Sequence, residues 1–177
     1  MFTLVIGGAA SGKSEYAETL ILCAGPMKRT YIATMEPLDR ESRTRIARHR
    51  TLRAQKSFET VECYKNLEQL RLPGGGAVLL ECVGNLVANE LYSPGGAGAD
   101  TEAAILRGID ALLSQCLVEL VVVSNEIFSG GWDYGGDTLR YLRVLSSVNR
   151  ALAARADQVV EVVCGQAVYY KGEGPAQ

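Results

Sequence analysis

The sequence predicts an α/β fold with a largely parallel central sheet, and three observations predict it. Short β-type runs alternate with stretches of helical periodicity along the chain. Several of these runs are almost wholly apolar, as strands covered on both faces must be. The last two are separated only by "CGQ" (164–166), a connection that suits an antiparallel hairpin at the C-terminal end.

Taken in order, "FTLVI" (2–6) is the first strand, followed by a glycine turn and a helix at 13–23. Tyr16, Ala17, Leu20 and Ile21 fall on one face of that helix. "TYIAT" (30–34), a helix at 38–54, "FETVEC" (58–63) and a helix at 65–71 come next. "AVLLEC" (77–82), helices at 84–92 and 101–116, and "VELVVVS" (118–124) continue the alternation. A helix at 138–155 then leads to "QVVEVV" (158–163) and "AVYYK" (167–171). The breaks "PGGGA" (73–77), "SPGGAGAD" (93–100) and "FSGGWDYGGD" (128–137) read as loops within one unit. The third holds the single tryptophan, Trp132, and is long enough to suggest a functional role.

At 177 residues the chain is expected to form one domain, 1–177, with a core sufficient for unaided folding. A net charge of −2 argues against a general nucleic-acid or membrane-surface binder. The longest apolar run, 117–123, is far too short to cross a bilayer. The first six residues lack the basic flank of a signal peptide, so the protein reads as cytoplasmic. Five scattered cysteines without a C-x-x-C pair are expected to be buried free thiols. One histidine in the whole chain argues against a zinc site.

Residues 7–14, "GGAASGKS", match G-x-x-x-x-G-K-[ST] between a strand and a helix. The fold is therefore expected to be P-loop NTPase-like. Gly7 and Gly12 permit backbone angles and close approach that a side chain would block. The N–H groups of Gly8, Ala9, Ala10, Ser11 and their neighbours then converge on phosphate oxygens at the start of a helix. Lys13 is expected to bridge the β and γ phosphates of a bound nucleotide, and the Ser14 hydroxyl to ligate Mg²⁺. Glu81, at the end of a later apolar strand, is the candidate acidic partner for that metal. "SNE" (124–126) follows the next strand, where the ligands of a parallel sheet gather.

"LDRESRTRIARHRTLR" (38–53) places six arginines around His49. Arg45, His49 and Arg53 recur at i, i+4, i+8 on one helical face. Arginines in such a place grip polyphosphate oxygens, and their charge keeps the imidazole neutral. A neutral ring nitrogen near an α-phosphate can attack it to form a phosphoramidate. By itself such a charge run is more often a solvated helix face, and a single histidine in it a bystander.

Together "GGAASGKS", "YIAT", "RIARHR" with Arg53, "TVE", "VLLECVGNLVANEL", "VVVSNE" and "VNRALAARADQVV" resemble one family. It is the bifunctional adenosylcobinamide kinase/adenosylcobinamide-phosphate guanylyltransferase family of cobalamin biosynthesis. The segments keep the family's order from about 2 to 171. The resemblance implies phosphorylation of the aminopropanol hydroxyl of adenosylcobinamide by ATP or GTP. It further implies GMP transfer from GTP to the phosphate so formed, through a guanylated His49. It implies nucleotide contacts from residues 7–14, from Ala33, Thr34 and Met35, from Arg50, Thr51, Leu52 and Arg53, and from Glu62 and Glu81. Glu62 suits guanine, whose N1–H and 2-amino group can both donate to one carboxylate. A homotrimer is implied as well.

After "SNE" the chain departs from the family's usual Val-Gly-x-Gly, Val-Pro-Glu and Arg-Phe-Arg-Asp. It reads "IFSGGWDYGGDTLRYLRVLSSVN", and Ala10 stands where an arginine is common. The kinase half of the activity is the half this departure touches. Two other readings stay open on the residues alone: a P-loop kinase of another small hydroxyl compound, and a non-catalytic nucleotide sensor. Neither needs an imidazole among arginines.

Overall fold

In the computed structural model, residues 1–25, 27–54, 56–72, 75–115, 117–130 and 134–174 are described; for residues 45, 48, 49 and 52–54 only the backbone is. Seven strands form one sheet in the order β3-β2-β4-β5-β1-β6-β7. They are β1 (Phe2–Gly7), β2 (Arg29–Ala33), β3 (Glu59–Glu62), β4 (Ala77–Leu80), β5 (Glu119–Asn125), β6 (Gln158–Val163) and β7 (Gln166–Lys171). Every neighbouring pair is parallel except β6 with β7. The helices are α1 (Lys13–Cys23), α2 (Arg40–Ala54), α3 (Val83–Tyr92), α4 (Thr101–Leu113) and α5 (Gly136–Arg155). The expected α/β architecture and its terminal hairpin are both present.

Alternation along the strands builds two cores. Leu4, Val78, Leu80, Leu120, Val122 and Val159 pack with Leu86, Ile105, Ile109, Leu145 and Leu152 of α3, α4 and α5. Val5, Leu79, Val121, Val123 and Val162 point the other way, onto Ala17 and Ile21 of α1. Both faces of the central strands are thus dry, which is why their sequences read as unbroken apolar runs.

The 65–71 segment is not the helix its sequence suggested. It makes a single 3₁₀ turn, Leu67–Gln69, entered through Asn66 at φ 54°. The Glu90 carboxylate accepts from the Asn66 N–H at 2.7 Å and from the Ala97 N–H at 2.9 Å, which fixes this segment against the loop after α3. Leu67 is buried there against Gly108 of α4. A Cβ on Gly108 would meet Leu67 Cβ at 2.7 Å. Gly108→Ala gains roughly 1 kcal/mol of helix propensity but overpacks this contact at a cost of about 1–3 kcal/mol. Denaturant melting should therefore show a less stable protein.

The cysteine expectation is also corrected. Cys63 is buried and Cys82 half-buried, but Cys23 and Cys164 are exposed. Cys23 ends α1, and Cys164 (φ 49°) with Gly165 (φ 78°) forms the tight turn between β6 and β7. Cys116 lies outside the described residues. No helix among the described residues is long and apolar enough to cross a membrane.

α2 begins where a reciprocal cap starts it. The Ser42 N–H donates to Asp39 Oδ1 at 2.7 Å, and the Asp39 N–H donates to Ser42 Oγ at 3.0 Å.

Candidate functional site

Residues for the site collect at the C-terminal edge of the parallel strands, where the loops of such sheets bind ligands. β1 ends at Gly7 and passes into the glycine loop. Gly7 needs to be glycine: a Cβ there would lie 2.5 Å from Ser11 Oγ and 2.7 Å from the Val162 carbonyl oxygen. Gly12 adopts φ 91°, and its Cβ would press on Gly165 Cα at 3.3 Å. Ala10 takes a left-handed φ of 56° without being glycine, a local cost of roughly 1–2 kcal/mol. The Gly165 N–H donates to the Ser11 carbonyl at 2.8 Å, so the β6–β7 turn braces the loop from outside.

Inside the loop, Lys13 Nζ donates to the Gly8 carbonyl at 2.9 Å. Burial pushes the Lys13 ammonium below the usual lysine range, against the pull of nearby Cys82. The Ser11 hydroxyl is buried and has no hydrogen-bond partner among the described residues. An unpaired buried hydroxyl beside a folded-back lysine is a site shaped for an anion. α1 starts at Lys13 with no side-chain cap, which leaves its first N–H groups to the same anion. Ala9 and Ser14 are exposed at the mouth of the loop.

Two strands away, β4 leads to Glu81. Its Oε2 accepts from the Thr34 N–H at 3.0 Å, and its own N–H donates to the Ile32 carbonyl at 3.0 Å. Thr34 is fully buried and spends its hydroxyl on the Cys82 carbonyl at 3.0 Å. Asn89 of α3 in turn donates to the Thr34 carbonyl at 2.8 Å and the Tyr64 carbonyl at 3.0 Å. Thr34 thus orients Glu81, while Ala33 closes β2 by accepting from the Cys63 N–H at 2.9 Å. Met35 follows, half-buried. The oxygen donors of Ser14 and Glu81 are of the kind a hard divalent cation prefers.

At the far end of the edge, β3 ends at Glu62. Its carboxylate pairs with Arg50 of α2 and accepts from the Tyr64 hydroxyl at 2.7 Å. These residues line a cavity of about 300 Å³ with Pro37, Arg43, Ile46 and Ala47. α2 also carries His49, Thr51, Leu52 and Arg53. Thr51 Oγ1 donates to the Ala47 carbonyl at 3.1 Å; the side chains of His49, Leu52, Arg53 and Arg45 lie outside the described residues. Four strand spacings separate β3 from β1, about 19 Å along the sheet. Glu62 and the glycine loop therefore occupy two ends of one ligand-binding edge.

Sequence reasoning left several residues of this edge without a role. Asn149 of α5 accepts from buried Ser124 Oγ at 2.6 Å and donates to the Asn125 carbonyl at 3.3 Å, fixing the end of β5. Cys82 caps the entry to α3, within 3.6 Å of Asn125 Nδ2. Burial pushes its thiol up, and Lys13 and the amides of Gly84 and Asn85 pull it back. Glu36 pairs with Lys65 at 2.7 Å and accepts from Ser93 Oγ at 2.5 Å beside the Glu62 pocket. Pairings such as Ser124 with Asn149 or Glu36 with Lys65 join distant segments, which no periodicity along the chain records.

Burial alone would raise the Glu36 carboxyl, but its bonds to Lys65 and Ser93 dominate and hold it below the ordinary value. An acid depressed on folding stabilises above its unfolded pKa, about 4.3, and that contribution is lost as pH falls through the folded value. Glu36→Gln should flatten the acid side of the stability curve below about pH 5. Thermal melts from pH 7 to pH 3 would show it.

A glycine cradle after β1, a lysine folded into it and a carboxylate two strands away define a P-loop nucleotide-binding protein. The family model for cobinamide kinase / cobinamide phosphate guanyltransferase matches residues 3–169, and the chain belongs to that family. It is a transferase. The bifunctional adenosylcobalamin biosynthesis protein CobU of Salmonella typhimurium is 36% identical over 97% of this chain and 100% of its own length. CobU of Escherichia coli is 34% identical over 97% and 100%. CobP of Pseudomonas aeruginosa is 32% identical over 98% and 99%. Among solved structures, the RadB recombinase aligns with a TM-score of 0.46 at 16% identity, over 90% of this chain and 73% of its own.

Proposed function

We propose that this protein phosphorylates the aminopropanol hydroxyl of adenosylcobinamide with ATP or GTP and then transfers GMP from GTP to the phosphate ester, through a guanylated His49. The pocket of Glu62, Arg50 and Tyr64, lined by the same helix that bears His49, supports this reading most. A carboxylate there accepts from both donors of a guanine edge, which adenine does not present. Glu62 would exchange its pairing with Arg50 for the base, leaving that guanidinium for phosphate oxygens.

In the kinase step, Lys13 turns from the Gly8 carbonyl to the β and γ phosphates, and Ser11 and the loop amides take the remaining oxygens. Mg²⁺ would be held by Ser14 and Glu81, and when bound it supplies charge neutralisation across the phosphates. Thr34 keeps Glu81 aimed. In the guanylyl step, the imidazole attacks the α-phosphorus, pyrophosphate leaves, and the acceptor's phosphate oxygen then displaces the imidazole. By resemblance the working assembly is a homotrimer.

Incubation with α-labelled GTP and Mg²⁺ tests the reading. The protein should acquire one acid-labile, base-stable label, which added adenosylcobinamide phosphate discharges. No label at any concentration of GTP removes the guanylyl half. Failure to phosphorylate adenosylcobinamide by a protein that does label would leave guanylyl transfer alone.

A further inference from the structure

Between α3 and the start of α5 lies a cavity of about 260 Å³, bounded by Ala88, Tyr92, Asp137, Thr138 and Tyr141. Neither the glycine loop nor the Glu62 pocket uses it. The Tyr92 hydroxyl donates to the Asp137 carbonyl at 2.6 Å and pins the first turn of α5 to the end of α3. Tyr141 is different. Its ring lines the cavity, and its hydroxyl has no hydrogen-bond partner among the described residues.

That hydroxyl reaches the start of α3, two residues beyond Cys82. A Cβ on Gly84 would lie 2.9 Å from it, 2.8 Å from Asn125 Nδ2 and 3.5 Å from Cys82 Sγ. Lys13 lies near enough to Cys82 for each to perturb the other's ionisation. Gly84 is therefore the point where the end of β5, the start of α3 and α5 meet, beside the Cys82 that senses the charge of Lys13. The absence of a side chain there leaves the Tyr141 hydroxyl in place at that meeting point.

We propose that this cavity receives the hydroxyl-bearing arm of the alcohol acceptor, and that Tyr141 is a positioning residue that turns the acceptor oxygen toward the phosphate held by Lys13. The proposal rests on the kinase reading above and names its acceptor subsite. The cavity falls below the ~300–1,000 Å³ of pockets that enclose a whole drug-sized ligand, so it suits an arm. The ring system behind the arm would remain outside, where the partly exposed ring of Tyr92 at the cavity wall offers it a face to pack on.

The acceptor O–H donates to the Tyr141 oxygen and presents a lone pair to the γ-phosphorus. As the new O–P bond forms, the bond from that phosphorus to the β–γ bridging oxygen breaks. The nucleoside diphosphate leaves with the electron pair, and the acceptor proton is lost to solvent. Burial, with nearby Cys82 and Tyr92, pushes the Tyr141 phenol up to about 12. It stays neutral at working pH and so positions without serving as the base.

Steady-state phosphorylation of adenosylcobinamide by Tyr141→Phe and Thr138→Trp proteins tests the subsite. Loss of one neutral hydrogen bond should cost Tyr141→Phe roughly three- to tenfold in kcat/KM for the acceptor. Thr138 is exposed, so the tryptophan should leave the fold intact while filling the cavity, and acceptor KM should rise at least about tenfold. In both, nucleotide KM and the yield of label from α-labelled GTP should stay within roughly twofold of wild type. Unchanged acceptor kinetics in both variants overturn the subsite, as does an equal rise in acceptor and nucleotide KM. A wild-type protein that takes up label yet phosphorylates no acceptor removes the kinase reading itself, and the subsite with it.

Discussion

A His49→Ala protein should take up essentially no label from α-labelled GTP, a fall of at least about 10³-fold in guanylyl transfer. The imidazole is the only one in the chain, so no neighbour can substitute for it. Alanine is the better helix former at an interior position of α2, so loss of label would not reflect loss of fold. Arg50, Glu62 and Tyr64 remain in the variant, and GTP binding measured by calorimetry should change little. This separates a lost nucleophile from a lost binding site. Full labelling of the variant would sink the covalent mechanism. Exogenous imidazole restoring part of the GMP transfer would strengthen it.

Lys13→Ala should lower phosphoryl transfer to the acceptor by about 10²–10³-fold in kcat, the usual loss when one preorganised cationic donor is removed from the developing charge. Lys13 is half-buried and already positioned in the loop, 2.9 Å from the Gly8 carbonyl, so little reorganisation precedes its engagement with phosphate. Its ammonium form is the one that works. Because burial holds its pKa below the usual lysine range, raising pH removes that form earlier than for an exposed lysine. The pH profile of kcat/KM, which reports the free enzyme, should therefore fall on its alkaline side in wild type. In Lys13→Ala that limb should disappear. A variant with near-normal kcat would show that the cradle holds its nucleotide for some purpose other than phosphoryl transfer.

Much of this was legible in the sequence because it is repetitive or local. Strand alternation between Leu4 and Val5, or Val78 and Leu79, is a period-2 signal that the two cores repeat in space. The glycine loop is contiguous, and each of its special positions has a local steric cause at Gly7 and Gly12. Glu81 could be placed because a strand end is visible as a break in an apolar run. The failures have a physical reason in common. Residues 65–71 carry helix-compatible composition, yet the Glu90 carboxylate, from a distant helix, binds the Asn66 N–H and favours a single tight turn. Cys23 and Cys164 sit beside apolar residues in sequence, but one ends a helix and the other makes a turn, and both positions face water. Tyr141, Asn125 and Gly84 meet only through three separate elements, which no spacing along the chain records. Trp132 lies outside the described residues.

The bond from the Gly165 amide to the Ser11 carbonyl makes the β6–β7 hairpin a splint for a loop more than 150 residues before it in sequence. A nascent chain would therefore lack a finished phosphate grip until β6 and β7 had been synthesised and folded back. Bulky additions at that turn would be felt as weaker nucleotide affinity long before they were felt as unfolding.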